Sequence, residues 1–126
     1  MLLPVSGTFL IVDDQPVARG TLRRTLEYYG HTVLEAGDGR EGLRIFNEEK
    51  RRIDLVFLSD ELPDVPCEKF LFVLRRMDPD AKVILLTGRT ASEVKDETTS
   101  QALAGVLRKP VNTDRLLAAV RRGMGK

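Results

Sequence analysis

A single cysteine, Cys67, stands among the 126 residues, with no tryptophan and one histidine, His31. A lone cysteine excludes an internal disulfide and fits a reducing compartment. No histidine or basic cluster lies near Cys67 in sequence, so it reads as a small residue filling a turn, not a reactive thiol. No apolar run approaches the ~20 residues of a membrane span. The start, MLLPVSGTFLIV, lacks a basic n-region and meets Asp13-Asp14 too soon for a signal peptide. These absences predict a cytoplasmic protein that enters no membrane. An excess of one charge is also missing: 20 lysines and arginines face 19 aspartates and glutamates, a net charge of +1. That argues against direct nucleic-acid binding. The arginine pairs (23–24, 51–52, 75–76, 121–122) are spread over segment ends, where they suit solvated helix faces and helix C-termini. There is no internal repeat, low-complexity segment or linker, and the composition suits one soluble domain over 1–126.

The chain is organised around Ile53–Pro63, IDLVFLSDELP. Leu55 to Leu58 is an uninterrupted apolar run, as in a parallel strand covered on both faces. It ends abruptly in Ser59, Asp60 and Glu61. Four other short apolar runs surround it: Thr8–Val12, Thr32–Ala36, Lys82–Leu86 and Gly105–Arg108. Between them lie helical patterns. Pro16 opens the first helix, Ala18, Leu22, Leu26 and Tyr29 mark its inner face, and Gly30 stops it. The second helix runs over Arg40–Glu49, with Leu43 and Phe46 inward. Phe70, Val73, Leu74 and Met77 mark the third. Thr90 and Glu93 have capping-box spacing for a fourth helix whose apolar set is small: Val94, Thr98, Ala102 and Leu103. Asn112 caps a fifth, with Val111 and Leu116 as a staple, Leu117 and Val120 inward, and Gly123 at its end. Five βα repeats predict an α/β fold with a parallel sheet and helices on both faces. The last residues, 123–126, read as a free tail or the start of a linker.

The polar residues that break this pattern sit at equivalent places. Asp13-Asp14 follow the first strand, Ser59-Asp60 the third, Thr87 the fourth and Lys109 the fifth. In a parallel sheet these points share the C-terminal edge, around the switch point of the strand order. Taken singly, each has an ordinary reading: acidic charges at a helix start, a polar turn, a strand-end threonine, a surface lysine. Together they make a crevice with carboxylates, a hydroxyl and an ammonium. Two carboxylates with further oxygens suit Mg²⁺. A lysine and a hydroxyl opposite suit the oxygens of a transferring phosphoryl group.

With these motifs the chain resembles a response-regulator receiver domain of two-component signalling. FLIVDDQPVARGTL looks like the acidic-pair segment and VLEAGDGREGL the strand-two to helix-two segment. VILLTG carries the threonine motif and GVLRKPV the lysine–proline motif. The resemblance implies a flavodoxin-like, five-stranded sheet of order 2-1-3-4-5. It implies Mg²⁺ held by Asp13, Asp14 and the backbone carbonyl of Glu61, and Thr87 turning toward a phosphoryl group. It further implies Lys109 pairing with the acceptor, a cis Lys109–Pro110 bond, and no enzyme activity beyond self-phosphorylation and dephosphorylation. The implied partners are a sensor histidine kinase or phosphotransfer protein. An output domain or partner would be reached through the face of the fourth helix, fifth strand and fifth helix. VILLTGRT and GVLRKP also look like receivers attached to hybrid kinases, so 1–126 could be one domain of a longer signalling protein.

The chain departs from the family at the phosphoacceptor. Counting back four residues from Pro63, or forward from Asp54-Leu55-Val56, places Ser59 where the family has aspartate. Serine loses a metal-binding charge, and its hydroxyl is a weak nucleophile without a base. Asp60 would point to the other side of the strand, unless a one-residue slip made it the acceptor. Val106 stands at the family's aromatic switch position, and Cys67 replaces the usual loop glycine. The main expectation is an atypical, phosphorylation-independent interaction module; the alternative is a phospho-receiver using Asp60 with Mg²⁺. A flavin-binding protein or a metal-dependent phosphatase of like topology fits less well. Asp13-Asp14 would repel a flavin phosphate, and Gln15 or Pro16 stands where the phosphatase keeps its acid/base.

Overall fold

The five apolar runs become five strands: β1 (Thr8–Val12), β2 (Thr32–Ala36), β3 (Leu55–Ser59), β4 (Val83–Thr87) and β5 (Gly105–Arg108). This computed structural model describes residues 6–90, 93 and 103–125. All strand pairs are parallel, in the order β2-β1-β3-β4-β5, as the sequence resemblance implied. The helices among the described residues are α1 (Pro16–Tyr28), α2 (Gly39–Glu49), α3 (Cys67–Met77) and α4 (Thr113–Gly123). The last of these is the predicted fifth helix. Of the predicted fourth, Val94, Thr98 and Ala102 lie outside the described residues. At its start the Thr90 N–H donates to Glu93 Oε1 at 3.0 Å, one half of the expected capping box.

Every residue of β3 and β4 is buried, which explains why their sequences do not alternate. The pleat nevertheless sorts them. Phe9, Ile11, Leu55, Phe57, Ile84, Leu86 and Leu107 face α1 and α4, where they meet Leu22, Leu26, Leu116 and Val120. Leu10, Val12, Val56, Leu58 and Val83 face Phe46 of α2 and Phe70, Leu71 and Leu74 of α3. Gly123 is buried against the sheet, and a Cβ there would lie 2.6 Å from Leu55 Cδ2. The Lys82 ammonium donates to the Gly123 carbonyl at 2.9 Å, tying the start of β4 to the end of α4. Met124 packs beside that core, so the chain through 124 is no free tail.

Several local expectations shift. Ala18 and Tyr29 are exposed, not inward. Ala18 sits in the first turn of α1, beside an open groove, and Tyr29 lies past the last helical residue. Gly30 stops α1 as expected, at φ 93°. α2 begins one residue early because the Asp38 carboxylate accepts the Glu41 N–H at 2.8 Å. β4 includes Thr87, whose carbonyl accepts the Lys109 N–H at 2.7 Å and extends the ladder. Asn112 caps α4 by accepting from the Arg115 N–H at 3.1 Å. On the outer side of α1, Arg19 bonds Glu35 of β2 at 3.0 Å, and Arg23 bridges Glu35 and Glu27.

His31 lies at the opposite end of the sheet from the polar strand ends. Its Nδ1 accepts the Gly7 N–H at 3.0 Å, and its ring stacks 4.6 Å from Phe9. Burial pushes its pKa below the usual histidine value of 6.5, only partly opposed by the Asp54 carboxylate. The folded state therefore keeps His31 neutral while the unfolded chain takes up a proton, so stability falls as pH drops through about 6.5. Melting curves from pH 7.5 down to 5.5 should show a steeper loss of Tm in the wild type than in His31→Gln. Parallel curves would show that this histidine does not contribute.

Candidate functional site

The strand ends bring Asp13, Ser59, Thr87 and Lys109 to the C-terminal edge, but the pleat divides them into two groups. Asp13 continues the parity of Ile11, Ser59 that of Phe57 and Lys109 that of Leu107, all on the α1–α4 side. Thr87 continues the parity of Val83, on the other side; Asp60, one residue past the end of β3, bonds to it and also lines the groove that holds Asp13 and Lys109.

The first group centres on the Lys109 ammonium. It lies 3.0 Å from Asp13 Oδ2 and donates to Ser59 Oγ at 3.2 Å. The Glu61 N–H also points at Ser59 Oγ, at 3.3 Å. Asp13 Oδ1 accepts the Gln15 N–H at 3.0 Å, and the Asp13 carbonyl accepts from Arg19 Nη1 at 2.6 Å. Asp13 and Ser59 are each 1% exposed. The Lys109–Pro110 peptide is cis, as the resemblance implied. A groove of about 530 Å³ runs from this pocket between α1 and α4, floored by Leu22, Leu86 and Leu116.

The second group centres on Asp60. Its Oδ2 accepts from Thr87 Oγ1 at 2.6 Å and from Arg89 Nε at 2.9 Å, and lies 2.8 Å from Arg89 Nη2. Only 4% of the Asp60 side chain is exposed. Sequence reasoning missed Arg89. It sits in the bend after β4, where strand periodicity gives no signal.

Asp14 and Glu61 are exposed at the rim. Asp13, Asp14 and the Glu61 carbonyl are hard oxygen donors, the set Mg²⁺ takes alongside waters. They fit that ion in kind, with two qualifications visible in the geometry. Asp13 Oδ2 is already paired with Lys109, and the Ser59 oxygen beside that ammonium is an uncharged hydroxyl.

The model described as response regulator receiver domain matches residues 9–121. The chain belongs to the response-regulator receiver family. This receiver is 31% identical over 121 residues to the sensor kinase CckA of Brucella abortus, covering 96% of the chain and 13% of the kinase. It is 32% identical over 111 residues to the transcriptional regulatory protein GlrR of Escherichia coli, covering 88% of the chain and 24% of GlrR. The receiver thus spans less than a quarter of the length of either protein. Among solved structures, a receiver domain protein of Clostridium thermocellum superposes with a TM-score of 0.87 at 28% identity, covering 94% of each chain. The chemotaxis response regulator CheY4 of Vibrio cholerae superposes with a TM-score of 0.83 at 29% identity, covering 94% of this chain and 99% of that one.

Removing Lys109 from this receiver leaves the buried Asp13 carboxylate without its counter-charge. Breaking such a pair costs about 3–5 kcal/mol when fully buried; Lys109 is 21% exposed, which lowers the expectation to about 2 kcal/mol. Urea unfolding should show that loss for Lys109→Ala and partial recovery when Asp13→Asn is added. Additive losses in the double variant would argue against a coupled pair.

Proposed function

We propose that this receiver is an atypical signalling module that works by binding partners and not by phosphorylation of its acceptor position. The reading rests on one observation: the groups around Ser59 Oγ, Lys109 Nζ and the Glu61 N–H, are both hydrogen-bond donors. Neither takes a proton from the hydroxyl, so neither activates Ser59 as a nucleophile. An aspartate there would attack as an anion and pair with Lys109. With serine present, Lys109 turns its charge to Asp13 and the pocket neutralises itself. Asp60 is poorly placed to act instead, since its Oδ2 faces Thr87 and Arg89 while Lys109 faces Ser59 and Asp13. Membership of the receiver family sets aside the flavin and phosphatase readings.

Asp13, Asp14 and the Glu61 carbonyl would hold Mg²⁺, weakly, because a charge is missing and Lys109 competes for Asp13. When bound, the ion supplies positive charge to phosphoryl oxygens. The partners we infer are a sensor histidine kinase or phosphotransfer protein, and an output domain or regulator. The relatives, a sensor kinase and a transcriptional regulator, support partners of this kind. Residues 1–126 would then be one domain of a longer, cytoplasmic signalling protein. No helix among the described residues is long and apolar enough to cross a membrane.

Intact-mass measurement after incubation with acetyl phosphate and Mg²⁺ tests the reading. The wild type should gain no phosphate, and Ser59→Asp should gain one. A labile phosphate on the wild type that disappears in Asp60→Asn would overturn the proposal in favour of Asp60. Metal affinity gives a separate check, since affinity rises with the number of charged ligands. Ser59→Asp should bind Mg²⁺ about tenfold or more tightly than the wild type, read as a larger Mg²⁺-dependent rise in Tm. Equal shifts would show that the serine is not what limits binding.

A further inference from the structure

A threonine hydroxyl carries one proton, and that of Thr87 is directed at Asp60 Oδ2 over 2.6 Å. The same hydroxyl oxygen accepts the Arg89 N–H at 3.0 Å. The Arg89 guanidinium then closes back on Asp60 through Nε and Nη2, at 2.9 and 2.8 Å. Asp60, Thr87 and Arg89 thus form a closed ring of charge-assisted hydrogen bonds around a carboxylate that is nearly sealed from water. The backbone reinforces it: the Asp60 N–H donates to the Leu86 carbonyl at 3.1 Å, and the Lys109 N–H to the Thr87 carbonyl at 2.7 Å.

We propose that Asp60 is a built-in latch, which holds Thr87 and Arg89 in one arrangement and uncouples the end of β4 from whatever occupies the Asp13–Ser59–Lys109 pocket. The argument is one of competition. For Thr87 to donate to a group in that pocket, it must release the Asp60 carboxylate, leaving a buried charge with one donor fewer. Asp60 acts here as a positioning residue. The latch deepens the binding-module reading and rests on it in one respect: a receiver without acceptor chemistry presents a constant surface only if the end of β4 is held by something other than a phosphoryl group.

Amide hydrogen exchange by NMR on the full chain, without any phosphodonor, tests the latch directly. In Asp60→Ala the Arg89 amide should exchange at least tenfold faster than in the wild type, while the Val12 amide in β1 keeps its rate. Asp60→Asn, similar in size but uncharged, should fall between the two, and serves alone if the alanine variant does not fold. Unchanged Arg89 exchange in the variants overturns the proposal. A coupling arm adds Mg²⁺ and beryllium trifluoride, a stable phosphoryl mimic, to Ser59→Asp and to Ser59→Asp/Asp60→Ala. The amide resonances of 87–90 should move on loading only in the double variant. Equal movement in both also overturns the latch. Phosphate found on the wild type by mass would instead overturn the binding-module reading, and leaves the exchange comparison to be judged by itself.

Discussion

Neighbouring residues on a strand cannot face the same way, and the site of this receiver depends on that constraint at the end of β3. Ser59 and Asp60 are one peptide apart, yet their side chains bond to different polar clusters. The buried apolar run before them holds the register in place. Phe57 must stay with Phe9 and Ile84, and Leu58 with Val12 and Phe70. A slip of one residue would exchange these partners along the whole strand. The chemistry at the edge is therefore set by packing in the middle.

The consequence is a site in which each buried carboxylate has a cation beside it. Lys109 balances Asp13, and Arg89 balances Asp60. Each pair is mostly buried, so each is worth more intact than broken.

Much of this was legible in the sequence. Five apolar runs with polar ends gave the strands within a residue, and the lysine–proline and acidic-pair motifs gave the family. Other features were not legible because they depend on contacts across the sheet. The bonds from Arg89 to Asp60 span 29 residues, and Arg89 has no local pattern that marks it. Ala18 and Tyr29 fit a helical stripe but sit where the helix overhangs the groove or has ended; periodicity reports a face, not what lies opposite it. The cap at Asp38 was hidden in a turn-like Gly-Asp-Gly, where turn and cap share the same residues.

The two walls of the groove beside the site are attached by different forces. α4 is held by Leu116, Ala119 and Val120 pressed into the core. α1 has Leu22 and Leu26 there, and adds the ladder of Arg19, Glu35, Arg23 and Glu27 along its outer side. Mobile ions screen exposed charges more than half-buried ones. Rising ionic strength therefore weakens the Arg23–Glu27 rung before the more sheltered Arg19–Glu35 rung, and acts less on α4, whose apolar contacts carry no charge. The width of the groove is tied on one side to the saltiness of its surroundings, and on the other mainly to the shape of the core.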